Sequence, residues 1–525
     1  MTAQGNRRLP ASLAVAMPIL LWCAPQASGL SNLAVTSGTE FDLADTSGSR
    51  TGGFGCFAWA RMKAATAEFD NLGIKYVRLT RDDDSWSDLQ AFRAYCSARG
   101  IKWVYTLWNA PQAYRDGANL LKDPAGFAKY WKDQVAELDA HQCRPEFVDL
   151  MNEPDSKGVW STGISPADMN TLIKTLRQEL DLAGFAKVGI AAPNLTSMSD
   201  WSGPQAYFQA MDQGAVGSLA AFATHPWGDD VARSDCSGGA DCLAKTWPGF
   251  GLTAKAKDPA KPLWILEYAT RQYTYDGTVY PDPDKVGQYN ASFSMPYAVR
   301  TFENTLAFLN LGATIPFYWD AGDDPGSSKQ WGYLDEKGAK KPVYEILKAL
   351  YPHIPVGSRV LKAGSQDSAL YAGAYLSDSG VTLGIANDSK SDRQLDLRLI
   401  HAGSPLAFQQ GIAVEISQRG DPAKKQPDQC RVVPVTLPLT KVGEGSYSLH
   451  VSLAGYSTLT VLLKSTPVSG ILAGPSPSGA DAALAATASR AGAEPVYDAA
   501  GRQAPLRGSS FRIRRGLREK LGNLP

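Results

Sequence analysis

The sequence predicts an α/β fold, a (β/α)8 TIM barrel followed by an all-β sandwich domain. Short apolar segments alternate with helical patterns over residues 53–354, and short alternating runs separated by turn residues replace them over residues 355–466. One of the apolar segments ends in glutamate, and a glutamate directly follows another. The chain has 525 residues, which is too long for one ordinary hydrophobic core, so more than one domain is expected.

The barrel prediction depends on the number and spacing of apolar segments. Candidate strands cover residues 54–59, 75–79, 102–107, 147–152, 188–192, 220–225, 263–267 and 314–319. Helical spacing of apolar residues fills most of the gaps, at residues 87–99, 124–143, 166–183 and 296–311. Eight strands is the number that closes such a barrel. The least regular part, residues 228–259, carries Cys236 and Cys242 and is predicted mostly as an insertion.

The C-terminal part changes its pattern. Short runs typical of a sandwich occur at residues 369–376, 381–386, 394–399, 412–416, 431–437, 446–451 and 458–463. Residues 467–525 are rich in Ala, Gly, Pro and Ser, end in a basic run, and are predicted to be a disordered tail.

The N-terminal 28 residues resemble a secretory signal peptide. Arg7 and Arg8 precede an apolar run at residues 13–22 that is too short to span a bilayer. A secreted or periplasmic protein is therefore expected, with residues 29–52 as a surface lead-in. Seven cysteines become six if Cys23 leaves with the signal, and an even number permits disulfides in an exported chain, including one between Cys236 and Cys242.

Charge and composition limit the partners. Lys plus Arg equals Asp plus Glu at 52 each, so no overall charge favours nucleic acid or an anionic membrane as a partner. The 13 Trp and 21 Tyr fit either a large core or a sugar-binding cleft. No Cys/His cluster suggests a metal site. A monomer that binds a polysaccharide or oligosaccharide, without metal or cofactor, is expected.

Two carboxylates carry the functional prediction. Asn152-Glu153-Pro154 follows the apolar run at residues 146–150, and Glu267 ends the run at residues 263–267. Strand ends of this kind hold the chemistry of α/β barrels, and paired carboxylates cleave glycosidic bonds. Taken singly, each glutamate could be a surface charge or a structural ion pair. Asn152 can bind a sugar 2-hydroxyl, and Pro154 is expected to hold Glu153 in extended geometry.

These residues together resemble glycoside hydrolase clan A. The resemblance implies that Glu153 is the acid/base and Glu267 the nucleophile, with Asn152 beside them. Arg78, in Tyr76-Val77-Arg78-Leu79, matches the arginine that pairs with the nucleophile.

Other positions match the same clan. His225-Pro226-Trp227 stands where the clan often has His-x-Tyr, and Trp319 stands where it places a tryptophan under the sugar. Arg78 and His225 could instead have purely structural roles. Trp108 and Trp227 are either wall packing or sugar platforms.

Within the clan, family 30 is nearest. Gly53-Phe54-Gly55 resembles its opening, and Trp108-Asn109-Ala110-Pro111 resembles its loop after strand three. Two features depart from the pattern: many clan members carry His at the position of Trp108, and the N-terminal strand that family 30 donates to its side domain is not evident. Families 39 and 5 remain possible.

The resemblance implies a retaining glycoside hydrolase that cleaves β-glycosidic bonds of a polysaccharide by double displacement, and the signal-like N-terminus implies that it is secreted. An exo-acting β-glycosidase that trims oligosaccharides is an alternative within the same class. A non-catalytic carbohydrate-binding protein is an alternative from another class, and a binding role for the sandwich alone is a third. The sequence does not identify the glycan.

Overall fold

The computed structural model describes residues 36–42, 48–82, 84–156, 161–199, 203–270, 273–275, 278–280, 291–323, 330–400, 407–417, 428–443 and 446–466. The predicted signal peptide and C-terminal tail lie outside these residues. Among the described helices, none is both long enough and apolar enough to cross a membrane.

The strands in these ranges, in chain order, are β1 (Thr36–Asp42), β2 (Phe54–Phe57), β3 (Ile74–Leu79), β4 (Lys102–Thr106), β5 (Phe147–Asp149), β6 (Gly189–Leu195), β7 (Ala221–Thr224), β8 (Leu263–Tyr268), β9 (Tyr273–Tyr275), β10 (Thr278–Tyr280), β11 (Ile315–Tyr318), β12 (Arg359–Ser365), β13 (Leu370–Ser377), β14 (Gly380–Asn387), β15 (Arg393–Ile400), β16 (Ala407–Ser417), β17 (Arg431–Leu437), β18 (Thr440–Gly443), β19 (Ser446–Leu453) and β20 (Ser457–Thr466). The α-helices are α1 (Lys63–Thr66), α2 (Phe69–Leu72), α3 (Trp86–Ala98), α4 (Pro124–Ala140), α5 (Pro166–Leu182), α6 (Pro204–Ala210), α7 (Gln213–Ser218), α8 (Gly239–Trp247), α9 (Thr253–Lys257), α10 (Met295–Leu311) and α11 (Pro342–Leu350).

Eight parallel strands close into a barrel in the order β11-β2-β3-β4-β5-β6-β7-β8. Each coincides with one of the eight predicted segments, so the predicted barrel is confirmed. The strands are apolar on both faces because helices cover the outside and side chains fill the inside. The inner layer includes the rings of Tyr76, Phe147, Trp264 and Phe317, which pack in tilted or edge-to-face arrangements.

The outer helices begin and end where local chemistry predicts. Helix α5 starts at Pro166 and is capped by Ser165. The Ser165 hydroxyl oxygen accepts a hydrogen bond from the Asp168 backbone N–H at 3.1 Å. Its buried residues Met169, Leu172, Ile173, Leu176 and Leu180 follow helical spacing. Helix α10 is buried along nearly its whole length because it packs against both the barrel and strands β13, β14 and β20.

Residues 228–259 differ from the prediction of an insertion. They contain α8, a π-helical turn (Pro248–Leu252) and α9, which supply the helical crossover between β7 and β8. Cys236 and Cys242 form a disulfide just before and within α8. Glycines at 238, 239, 249 and 251 weaken the helical signal, whereas tertiary packing of Leu243, Trp247 and Phe250 maintains the helices.

The sandwich contains a strand that the sequence analysis did not recognise. The ten strands pair in the order β17-β16-β20-β14-β13-β12-β1-β15-β19-β18, and β19 packs face to face on β17 and β20. Strand β1 lies between β12 and β15, with Phe41 and Thr39 buried. The expected surface lead-in is therefore wrong for residues 36–42. One large apolar residue in the segment, Phe41, gives no alternating signal, and its pairing partners lie more than three hundred residues away.

Candidate active site

The predicted acid and nucleophile meet at the C-terminal end of the barrel. Glu153 follows β5. Just before it, the backbone N–H of Asn152 donates to the Leu107 carbonyl at 3.1 Å. Glu267 lies within β8. The pairing of β8 with β11 shifts register by one residue between Pro316 and Tyr318, a β-bulge opposite Leu266 and Glu267. Such a bulge re-aims a side chain, and here the Glu267 carboxylate points into the barrel mouth.

Glu267 is held by donors on both oxygens. The Arg78 guanidinium pairs with Oε1, and the Trp227 indole Nε1 donates to Oε2 at 2.9 Å. The Glu267 side chain is 5% exposed. A guanidinium and an indole N–H at these positions fix the orientation of both carboxylate oxygens.

Arg78 lies fully buried beneath the two glutamates. Its Nε donates to Asp149 Oδ2 at 2.9 Å, and its Nη2 donates to Asn152 Oδ1 at 2.9 Å and Thr106 Oγ1 at 3.2 Å. Burial alone would lower the pKa of Arg78, but Asp149 and Glu267 outweigh burial and raise that pKa. The guanidinium therefore remains charged and fixes both the Glu267 carboxylate and the side-chain oxygen of Asn152.

Asp149 is a central residue that the sequence analysis missed. It is fully buried, and besides Arg78 it accepts hydrogen bonds from Thr106 Oγ1 at 2.9 Å and Asn194 Nδ2 at 2.7 Å. Burial raises the pKa of Asp149, partly offset by Arg78. A signal was present, because an acidic residue at a strand position inside an apolar run is costly unless it has a buried partner.

The backbone at Glu153 contradicts the expected extended geometry. Its φ is +44°, in the left-handed region that residues other than glycine rarely adopt. The preference imposed by Pro154 is overridden by contacts around the loop, where Asn152 bonds to Leu107 and the Ile164 amide donates to the Pro154 carbonyl at 2.8 Å. The Glu153 side chain is 17% exposed, so it can reach solvent, unlike Glu267.

His225 lies between the two carboxylates. Its Nδ1 is 3.2 Å from Glu153 Oε1 and 3.3 Å from Glu267 Oε2. The ring is fully buried, and burial lowers the pKa of His225 to about 3, with Glu267 opposing the shift and Arg78 assisting it. The imidazole is therefore neutral over the range in which most enzymes work.

One carboxylate oxygen of Glu153, one of Glu267 and a ring nitrogen of His225 lie within 4.8 Å of one another. Three such groups could in principle hold a metal ion. The donor set does not fit one, because Glu267 Oε1 is paired with the Arg78 cation and Oε2 accepts the Trp227 N–H. This spacing instead suits two carboxylates that act on opposite sides of one bond.

Aromatic rings line the approach to the carboxylates. The Trp319 ring lies 4.3 Å from Phe57, 5.8 Å from Trp108 and 6.1 Å from Trp59, measured between centroids. Trp108 Nε1 donates to Asp82, which fixes its ring. All the predicted site residues are thus assembled at one mouth, and Trp59 joins them although the sequence analysis did not select it.

On the opposite side, Trp227 packs edge to face on Trp331 at 5.1 Å. Of the two roles considered for Trp227, its ring contact with Trp331 fits wall packing, and its N–H contact with Glu267 is a role that was not considered. The sequence analysis could not anticipate the N–H contact, because a tryptophan in a strand-end motif does not reveal which way its indole points.

Comparison with known proteins gives fold similarity alone. No family model matches the sequence, and no curated protein matches it. Among solved structures, a GH30 endoxylanase from Clostridium papyrosolvens C71 aligns with a TM-score of 0.58 at 15% identity, over 82% of this chain and 100% of its own. A GH39 enzyme from Xanthomonas axonopodis pv. citri aligns with a TM-score of 0.53 at 14% identity, over 84% of this chain and 100% of its own.

A monomeric beta-xylosidase from Caulobacter crescentus CB15 aligns with a TM-score of 0.54 at 16% identity, over 81% of this chain and 99% of its own. The expected similarity to the clan A fold, with a barrel and a sandwich as in family 30, is therefore confirmed. At these identities, the similarity establishes the architecture.

Proposed function

We propose that this chain is a retaining glycoside hydrolase that cleaves β-glycosidic bonds of a polysaccharide by double displacement. The observation that carries the proposal is the separation of the two carboxylates, whose nearest oxygens lie within 4.8 Å at the barrel mouth. Retaining enzymes place their two carboxyl groups about 5–5.5 Å apart, whereas inverting enzymes need about 6.5–9.5 Å to admit a water.

In the first step, Glu267 attacks the anomeric carbon of the bound sugar and forms a glycosyl-enzyme ester. Arg78 and Trp227 hold its carboxylate in a fixed orientation. Glu153 gives its proton to the departing glycosidic oxygen, so the leaving group departs as a neutral alcohol.

In the second step, Glu153 is a carboxylate and accepts a proton from water. The resulting nucleophile attacks the anomeric carbon from the face that the leaving group vacated, and Glu267 is released. The greater exposure of Glu153, 17% against 5% for Glu267, fits a residue that must meet water. Two inversions at one carbon give net retention of configuration.

Binding of the sugar falls to the groups around this pair. Asn152, whose Oδ1 is fixed by Arg78, presents its amide nitrogen for the 2-hydroxyl. Trp319, Trp108 and Trp59 offer apolar ring faces for the sugar. Structural neighbours include enzymes named as an endoxylanase and a beta-xylosidase, so β-linked xylose polymers are the first substrates to test.

Export from the cell is part of the proposal, and rests on the basic and apolar composition of residues 1–28. We further propose that the chain acts as a monomer without a cofactor, because the proton donor and the nucleophile both come from its own barrel.

The test is reducing-sugar release by the mature protein on xylan, β-glucan, mannan and galactan. We expect wild type to cleave at least one, and Glu267→Ala to lose activity by on the order of thousands-fold, because it removes the attacking atom. Glu153→Ala should lose activity on the polymer but keep more of it on a 2,4-dinitrophenyl glycoside, whose leaving group needs no proton. Binding without hydrolysis, unchanged in Glu267→Ala, would favour a carbohydrate-binding protein instead.

A further inference from the structure

We propose that Lys341 is a positioning residue that acts on the proposed nucleophile through two tryptophans. It holds the backbone beside Trp331, whose ring packs against Trp227, and the Trp227 N–H in turn donates to Glu267. The inference rests on the proposed function, in which Glu267 attacks the sugar. It adds a buried charge just before α11 to the groups that set the direction of that carboxylate.

Lys341 is a buried lysine whose amino group is fully engaged. Its side chain is 1% exposed. Nζ donates to Asp323 Oδ1 at 2.9 Å, to the Gln330 carbonyl at 2.8 Å and to Ser292 Oγ at 3.1 Å. An ammonium group has three N–H donors, so each of them has an acceptor. The lysine therefore joins the segment after β11, the segment that contains Trp331 and the segment before α10.

The backbone around Trp331 is held at three consecutive residues. The carbonyl of Gln330, one residue before it, accepts from the lysine. The Trp331 carbonyl accepts from the Tyr318 hydroxyl at 2.8 Å. The N–H of Gly332, one residue after it, donates to Asp323 Oδ1 at 2.8 Å. The same Asp323 oxygen accepts from the lysine, so one ion pair holds the chain on both sides of the tryptophan.

This segment packs closely on the backbone that follows β11. A Cβ atom on Gly332 would lie 2.4 Å from Gly322 Cα and from the Asp323 nitrogen, so only glycine fits there. The Trp331 ring is buried and meets the Trp227 ring edge to face, with 5.1 Å between centroids. Because buried rings are closely packed, a shift of the segment would also move the Trp227 ring.

Trp227 carries such a shift to the carboxylate. Its Nε1 donates to Glu267 Oε2 at 2.9 Å, and hydrogen bonds weaken steeply as their angle departs from linearity. Loss of the contacts made by Lys341 should therefore loosen Glu267 without removing any group at the barrel mouth. Catalytic rates are sensitive to small misplacements of this kind.

The ion pair determines how the test is designed. Removal of Lys341 alone leaves Asp323 as an unpaired buried carboxylate, which destabilises the fold for a reason unrelated to Trp331. Lys341→Met combined with Asp323→Asn, called here the neutral double variant, leaves neither charge in place. Its asparagine oxygen still offers an acceptor to the Gly332 N–H, whereas the lysine donor to Gln330 is gone.

A mutant cycle with Trp227→Phe tests the route from the lysine to the nucleophile. The substrates are 2,4-dinitrophenyl β-xyloside and β-glucoside, whose leaving group needs no proton, so kcat/KM reports attack by Glu267. We expect the neutral double variant to lower kcat/KM by about tenfold when Trp227 is present. In the Trp227→Phe background it should lower kcat/KM by less than about twofold, because the indole N–H through which it acts is absent.

An equal loss in both backgrounds, or no loss in either, would overturn the inference. Hydrolysis by wild type is measured in the same series, and its absence on these substrates and on the glycan panel would count against the proposed function instead.

NMR of the protein labelled with nitrogen-15 in tryptophan observes the indole without any need for activity. The chain has 13 tryptophans, and loss of one indole signal in Trp227→Phe assigns the resonance. We expect the proton of that resonance to shift upfield in the neutral double variant, because its hydrogen bond to Glu267 is weaker. An unchanged resonance in the folded variant would overturn the inference.

Melting temperatures show whether the neutral double variant is folded. If it is not, Lys341→Arg, which keeps the charge beside Asp323, is measured in the same cycle. The planar guanidinium cannot reproduce the three bonds of the ammonium group, so a loss of kcat/KM is again expected only when Trp227 is present. A loss that persists in the Trp227→Phe background, or no loss at all, would overturn the inference.

Discussion

The upper and lower halves of the barrel interior are built from the same strands and have opposite chemistry. Tyr76 and Arg78 lie two residues apart on β3 and face the same way. Tyr76 joins the rings of Phe147, Trp264 and Phe317 in an apolar layer, whereas Arg78 lies among carboxylates. The lower layer stabilises the barrel by apolar packing alone. The upper layer contains buried charges, which stabilise the fold only while every partner is present.

Arg78→Met should have the largest effect, because it breaks the upper network at its centre. Loss of the cation leaves Asp149 and Glu267 as uncompensated buried carboxylates, which should lower the free energy of unfolding by about 3–5 kcal/mol. Turnover of the folded fraction should fall by at least about 100-fold, because the nucleophile loses its charge partner.

Urea unfolding and turnover measured well below the melting temperature check both effects. Arg78→Lys is the matched control, since it keeps the charge but not the planar fork, and should lie between wild type and Arg78→Met. If Arg78→Met were as stable as wild type, the claim that the upper layer depends on every charged partner would be contradicted.

Trp264→Ala should break the lower layer alone. Removal of a buried indole should lower the free energy of unfolding by about 3–5 kcal/mol through lost burial and a cavity. Turnover at low temperature should stay within about twofold of wild type, because this buried layer contains none of the side chains at the barrel mouth. Trp264→Phe should lose less stability. A large loss of turnover in folded Trp264→Ala would show that the two layers are coupled.

Trp227→Phe, in the upper layer, should lower turnover while leaving stability nearly unchanged, which is the reverse of the effect of Trp264→Ala. It removes the N–H that donates to Glu267 Oε2 at 2.9 Å but keeps a ring against Trp331. A hydrogen bond to a charged group is worth about 1.5–3 kcal/mol, so turnover should fall by roughly 10- to 100-fold with little change in melting temperature. Trp227→Tyr offers a hydroxyl donor and should recover part of the loss. Unchanged turnover in Trp227→Phe would remove this residue from the site.

The smallest expected effect concerns pH. Asp229, two residues after Trp227 in the chain, accepts hydrogen bonds from the Met198 backbone amide at 2.8 Å and from the Ser197 hydroxyl. Burial raises the pKa of Asp229 to about 7. A raised folded-state pKa adds stability that is fully present below about pH 4 and is lost as the pH rises through about 7.

Asp229→Asn should therefore lessen the loss of stability between pH 5 and pH 8, by on the order of 1 kcal/mol relative to wild type. His225 acts in the opposite direction, because its pKa is lowered to about 3 and its stabilising effect is lost as the pH falls below about 6.5. Because wild type and Asp229→Asn both contain His225, its contribution cancels when the stability of one protein is subtracted from that of the other. If the free energy of unfolding of the two proteins changed in parallel with pH, the raised pKa assigned to Asp229 would be contradicted.

The sequence analysis predicted the parts of the fold that local patterns determine. Eight apolar segments with helices between them, and glutamates at the ends of two, were sufficient to predict the barrel and to select Glu153 and Glu267. Strand β1 could not be found in this way, because its stability comes from β12 and β15, far along the chain. Helices α8 and α9 were hidden by glycines that tertiary packing tolerates.

The site shows the same division. Residue types at strand ends predicted which side chains gather at the mouth, and all of them do. The left-handed φ of Glu153, the bulge that turns Glu267 inward and the support from Asp149 depend on contacts between strands that are distant in sequence. Sequence motifs selected Glu153 and Glu267, whereas contacts within the barrel determine how the two side chains are held.

The stereochemistry of cleavage tests the central claim most directly. Proton NMR during hydrolysis of the glycan identified by the substrate panel records the anomeric configuration of the product before it equilibrates in water. Two carboxylates with oxygens within 4.8 Å predict that the β-anomer appears first, with the α-anomer following only by mutarotation. First appearance of the α-anomer would mean inversion, and would contradict both the glycosyl-enzyme on Glu267 and the paired roles assigned to Glu153 and Glu267.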